Sequence, residues 1–184
     1  MSTVVSRGRT RIKQSAAIRM VCLVLTASAI SLGSPFGFSP VSAKPSSQPS
    51  ISITNRYYSV FGLSAGELEA AMRRNGPMGF WASTSWLVTW TPDCRVRVRI
   101  KYTYPSWRNR NRASPALRRR WKRMMAALVR HERQHGRHGI KAARQLLATR
   151  CRRNPRGIVQ RWAEQDRIFD RRTNHGVRRG VTLR

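Results

Sequence analysis

Acidic side chains are scarce in this chain: its 184 residues hold 7 Asp plus Glu against 37 Lys plus Arg, a net charge of +30. Besides Asp93, only Glu132 falls between Glu69 and Glu164. Histidine is rarer still, at 4 residues, and none of the 3 cysteines belongs to a closely spaced pair of the kind that builds a cysteine zinc site. No apolar run reaches the roughly 20 residues needed to span a bilayer, and no internal repeat is visible. The aromatic residues occupy apolar, periodic positions and not the arginine clusters. That arrangement argues against a base-stacking surface and disfavours nucleic acid as a partner.

The N-terminus indicates export. Arg7, Arg9, Arg11, Lys13 and Arg19 precede an apolar run over residues 21–32, and Val41-Ser42-Ala43 offers a small-x-small cleavage site. Residues 1–43 therefore read as a signal peptide, and the mature protein as secreted or periplasmic with no transmembrane segment. Residues 44–52, rich in Pro and Ser, read as a flexible linker. Residues 53–176 form a single domain, and residues 177–184 a basic tail. In an oxidising compartment Cys94 and Cys151 are expected to pair, pinning the start of a strand to the end of a long helix. Five basic residues lie in the leader, leaving 32 against 7 acids, a net of +25. Such a field attracts anionic envelope polymers or lipids, or else belongs to a merely solvated face.

The run His131-Glu132-Arg133-Gln134-His135 carries the chemistry. In a helix a four-residue step is about one turn, so both imidazoles project from one side. Two neutral imidazoles can grip one zinc ion, while the intervening Glu132 takes a proton from an activated water. The helical context is good. Ser114-Pro115 is a cap followed by proline at the first helical position, and Leu117, Trp121, Met124, Met125, Leu128, Ala142, Ala143 and Leu146 recur at three- and four-residue spacing. His131, Glu132 and His135 continue that apolar stripe. Polar groups buried there are costly unless a cation or hydrogen bonds satisfy them. Arg133 points toward the outer face.

Zinc at a catalytic site normally takes three protein ligands and a water. A third His six residues after the second is missing, since position 141 is Lys, and His138 is better suited to a supporting role. A second helix over residues 157–176 places Asp166 and Asp170 beside its apolar side, defined by Ile158, Trp162 and Phe169, with Glu164 nearly opposite. His175, at the helix exit before Gly176, is the expected third ligand. Asp170 is its orienting carboxylate or a substitute ligand.

The remaining elements complete an α+β class, zincin-like: a small antiparallel sheet on the long HExxH helix, followed by the C-terminal helix. Residues 56–61 read as a short strand. Ser64 with Glu67 resembles a capping box that opens a helix through Arg74, and residues 80–90 favour a strand. In residues 95–104, Val96, Val98, Ile100, Tyr102 and Tyr104 alternate with Arg95, Arg97, Arg99 and Lys101. As a sheet edge, that last strand either receives an extended substrate or uses its arginines against aggregation. Tyr102 or Tyr104 is a candidate oxyanion donor.

Tyr57-Tyr58, Arg73-Arg74-Asn75-Gly76-Pro77, the Trp-rich residues 81–90, Cys94, the HExxH run, Cys151 and Asp170-Arg171-Arg172-Thr173-Asn174-His175-Gly176 together resemble a bacterial family. It is domain-of-unknown-function family 922, described as predicted secreted zinc-dependent proteases. The resemblance implies a zincin-like fold with His131, Glu132, His135, Asp170 and His175 as its site, one zinc ion, and a peptide or protein substrate. The alternative is a non-catalytic, cationic envelope-binding protein whose metal is structural or missing.

Overall fold

The computed structural model describes residues 2–7 and 48–184. The expected leader's apolar run and cleavage site, Cys22, and residues 44–47 of the expected linker lie outside the described residues. The elements in chain order are β1 (Ser2–Arg7), β2 (Ser50–Val60), α1 (Ala65–Asn75), β3 (Ser83–Trp90), β4 (Val96–Trp107), α2 (Pro115–Ala148) and α3 (Pro155–Thr173). The class is α+β, a small sheet with a long helix and a second, C-terminal one.

The sheet order is β1-β3-β4-β2. Strands β3 and β4 form an antiparallel hairpin, and β2 lies parallel to β4, with Ser50 opposite Arg97 and Val60 opposite Trp107. The sheet is therefore mixed and not wholly antiparallel. Alternation along β4 fixes which side chains face the core, but it says nothing about a neighbour's direction. Nor is β4 an edge: it is hydrogen-bonded on both sides, so a strand-like substrate has no free backbone to pair with there. Ser2–Arg7 falls inside the expected leader and pairs with β3. Removal of residues 1–43 leaves a three-stranded sheet with β3 at one edge. Strand β2 begins at Ser50, inside the stretch expected to be linker.

Local chemistry explains the helix boundaries. Ser64 Oγ accepts from the Glu67 amide, and Glu67 Oε2 accepts from the Leu63 amide at 2.6 Å, so orphan donors at the start of α1 are satisfied. Ser114 caps α2 by accepting from the Leu117 amide, with Pro115 next. In β4, Val96, Val98, Ile100, Tyr102 and Tyr104 are buried while Arg97, Arg99 and Lys101 are exposed. The apolar stripe of α2 packs on that face together with Trp86 and Val88 of β3.

The sheet approaches α2 closely because two glycines face it. A Cβ at Gly136 would stand 2.0 Å from the Tyr102 hydroxyl, and one at Gly139 would stand 2.8 Å from Cγ of the buried Trp86. Cys94, in the β3–β4 turn, is bonded to Cys151 just past α2. By loop entropy this bridge contributes about 4 kcal/mol. The last residues differ from the expected tail: Val177–Arg179 form a 3₁₀ turn, and Val181 and Leu183 are buried. The alternation Val-Thr-Leu-Arg gives this segment an apolar side that its basic composition conceals.

Gly139→Ala is expected to destabilise the fold by about 1–3 kcal/mol, because the methyl overpacks against Trp86. Gly66→Ala in α1, where nothing stands within 4 Å, is expected to stabilise it by about 0.4–1 kcal/mol. Urea denaturation midpoints compared at equal slope check both.

Candidate metal centre

Helices α2 and α3 each present polar groups one turn apart on their facing sides: His131 and His135 on α2, Asp166 and Asp170 on α3. The four mesh. Asp170 Oδ1 lies 3.2 Å from His131 Nε2 and 3.1 Å from His135 Nε2, and the two Nε2 atoms are 3.3 Å apart. One carboxylate oxygen and two imidazole nitrogens thus form a nearly equilateral triangle that could hold a metal ion.

Behind this triangle stands a second carboxylate. Asp166 Oδ1 is 2.9 Å from His135 Nδ1 and 2.6 Å from His138 Nδ1, and Asp166 Oδ2 accepts from the Trp86 indole at 2.7 Å. His138 Nε2 in turn lies 3.0 Å from the Gln134 side-chain nitrogen. With its Nδ1 proton donated to Asp166, neutral His135 keeps a lone pair on Nε2, aimed into the triangle. A carboxylate on the far nitrogen is the usual way to fix a ligand's tautomer and ring orientation. His135, His138 and Asp166 also cluster closely enough to form a second, fully buried donor group.

The electrostatics follow from burial and proximity. Burial on its own would lower the His135 pKa, but hydrogen bonds to Asp166 and Asp170 and their charges outweigh it, raising it to about 10. Burial opposes ionisation of Asp170 and Asp166, yet their imidazole partners, joined at Asp166 by Trp86, hold both below the usual carboxylate range. His131 stacks on Phe169 at 4.8 Å. Its Nδ1 is the one buried side-chain polar atom among the described residues without a hydrogen-bond partner.

Glu132 is buried at 5% exposure and turned toward the sheet. Thr84 Oγ1 donates to Glu132 Oε2 at 2.6 Å and lies 3.1 Å from the Glu132 carbonyl oxygen. Desolvation raises the Glu132 pKa, offset in part by His135, Thr84 and His131. Tyr102 and Tyr104 are buried nearby, and desolvation pushes both phenols up. Both therefore remain protonated donors at neutral pH.

His175 is not the third member of the triangle. It occupies a left-handed turn at φ 50°, its side chain is 55% exposed, and its Nδ1 stands 3.9 Å from Asp170 Oδ1. Asn174 and His175 are both left-handed, and the backbone then packs on α2 at Gly176, where a Cβ would stand 3.2 Å from His131 Cγ, while the His175 side chain is left exposed. Asp170, one turn earlier on α3, reaches the imidazoles instead. Glu164 is exposed and pairs with Arg167 and Arg171. Residue order alone assigned no role to Asp166 or Thr84. The four-residue spacing of Asp166 and Asp170, matching that of His131 and His135, was the available signal.

Residues 55–176 match the family described as bacterial protein of unknown function, DUF922. The chain belongs to that family. No curated protein and no solved structure matches it. The span shared with DUF922 contains every donor of both clusters, together with Glu132, Thr84 and both halves of the disulfide. Membership in DUF922 assigns no reaction.

A cation in the triangle must compete with the proton on His135. Because the folded-state pKa is raised, protonated His135 stabilises the metal-free protein fully below its ordinary 6.5, and this contribution is lost as pH rises through about 10. Metal uptake at neutral pH is therefore expected to release about one proton per ion, with affinity climbing across that window. Calorimetry in buffers of different ionisation enthalpy measures this; uptake without proton release would remove His135 from the ligand set.

Proposed function

We propose that this protein is an exported zinc-dependent hydrolase, most simply a peptidase, with His131, His135 and Asp170 as the zinc ligands and Glu132 as general base. One observation carries the reading: the three donor atoms are 3.1–3.3 Å apart. Tetrahedral bonds of about 2.0–2.1 Å to nitrogen and oxygen require donor spacings of about 3.3–3.4 Å, so little rearrangement is needed to bind the ion. Three protein donors also leave a fourth position for water or substrate, as a catalytic site needs. Bound zinc supplies Lewis acidity, polarising a scissile carbonyl and acidifying water.

The protein's own groups supply the remaining steps. Glu132, destabilised as an anion by burial, is suited to accept a proton from the attacking water and return it to the leaving amine. The Thr84 hydroxyl holds one of its oxygens, leaving the carboxylate little rotational freedom to lose. Asp166 keeps His135 in the tautomer that ligation requires. Support for export comes from the leader-like N-terminus and from the Cys94–Cys151 bond, which suits an oxidising compartment. A peptide or protein is the substrate under this reading.

A second reading, a non-catalytic cationic protein that binds anionic envelope polymers or lipids, draws on the +30 charge and its exposed arginines. Glu132→Gln separates the two. Under the hydrolase reading the variant keeps its zinc by elemental analysis, while cleavage of fluorescein-labelled casein falls about 10²–10⁴-fold. His131→Ala loses both. Equal trace metal in wild type and His131→Ala would remove the hydrolase reading and leave the second.

A further inference from the structure

The arginines of α2 are not scattered. Arg120, Arg123, Arg130 and Arg137 fall at three- and four-residue spacing together with Ala127 and Gln134, so they form one stripe along the helix. From residue 120 to residue 137 the stripe runs about 26 Å. The C-terminal segment forms the opposite bank. Val181 and Leu183 are anchored in the core, so the alternating Gly180, Thr182 and Arg184 line the cleft. Gly180, at φ +90°, brings its backbone against Ala127, and a Cβ there would stand 3.6 Å from the Ala127 methyl.

Two adjoining recesses of about 380 and 240 Å³ occupy this groove, sharing Ala127, Arg130 and Arg179, and the second is lined by His131. The arginines that pair with carboxylates among the described residues are Arg73, Arg95, Arg167 and Arg171, none of them in the groove. Among the described residues Arg137 reaches the Gln134 amide oxygen at 3.5 Å, and Arg179 rests over Phe169 at 5.5 Å. A row of uncompensated guanidinium groups above a small apolar floor recognises carboxylates spaced along an extended chain.

We infer that this groove binds an acidic peptide segment in extended form, about eight residues long at 3.3 Å per residue, and delivers it past Arg130 and Arg179 to His131. The assignment deepens the hydrolase reading and rests on it for the fate of the peptide, though not for its binding. Nucleic acid fits less well. The aromatic ring in the groove, Phe169, is already engaged by the stacked His131 and by Arg179, so it is a poor platform for a base. A membrane surface fits less well too, since the large exposed apolar side chains, such as Ile51, Ile53, Tyr57 and Phe61, lie outside the groove.

Fluorescence anisotropy with a labelled glutamate-rich octapeptide tests this, using the whole mature protein in EDTA and again with zinc. Arg130→Gln/Arg179→Gln is expected to weaken binding about tenfold. Arg97→Gln/Arg99→Gln, with the same loss of charge on the exposed face of β4, should change it less than about twofold. An octapeptide of glutamine should not bind. Equal losses in the two variants, or equal binding of the glutamine peptide, would overturn the inference. So would an eight-nucleotide oligothymidylate, or phosphatidylglycerol vesicles, binding more tightly through the same two arginines. Because binding in EDTA needs no metal, a protein that never takes up zinc still tests the groove, while the metal content in the zinc arm reports separately on the hydrolase reading.

Discussion

A carboxylate at 2% exposure must find donors or give up its charge, and Asp166 finds three. Two are imidazoles on α2 and the third is the indole of Trp86 on β3, so one side chain ties the C-terminal helix to the long helix and to the sheet. The remaining geometry of the site follows from this junction. It fixes the ring of His135, and with it the direction of Nε2. It also sets the register of α3 against α2, which brings Asp170, one turn on, between the two histidines. Gly136 and Gly139 are its counterpart on α2: without side chains there, Tyr102 and Trp86 can come near enough for the indole to reach the carboxylate.

The cost of such a centre is borne by the scaffold around it. Three of the seven acids, Glu132, Asp166 and Asp170, are drawn into this cluster, so the surface has few carboxylates left to neutralise its arginines. The result is a compact negative interior beneath a strongly positive exterior. Attraction between the two is long-ranged but weakened by solvent, so the cluster's stability rests on its short hydrogen bonds. The Cys94–Cys151 bridge closes the end of α2 onto the β3–β4 turn, limiting how far the helix that carries the histidines can drift from the strands.

Much of this was legible in residue order. The pairing of Ser64 with Glu67, Ser114 before Pro115, the strict alternation of β4 and the apolar stripe of α2 are all local patterns, each dominated by contacts a few residues apart. The HExxH spacing belongs with them, because helix geometry alone puts His131 and His135 on one side. Three features were not legible. The direction of β2 depends on where its crossover returns, which a strand's own alternation does not encode. The packing of Val181 and Leu183 depends on an apolar surface supplied by other elements. The choice of Asp170 over His175 depends on the left-handed backbone at Asn174 and His175, which leaves the later imidazole exposed even though Gly176 packs on His131.

The sequence by itself determined which side chains can act: two imidazoles and a carboxylate on one helical face, two carboxylates one turn apart on another, and an arginine row beside them. Periodicity is a property of a single helix or strand, so it needs no partner to be read. Only the tertiary structure decided which of these groups meet, because donor distances near 3 Å are set by how two helices and a sheet settle against one another. The same settling selected Asp166 as the support, Asp170 as the third donor and the C-terminal segment as the wall of the groove.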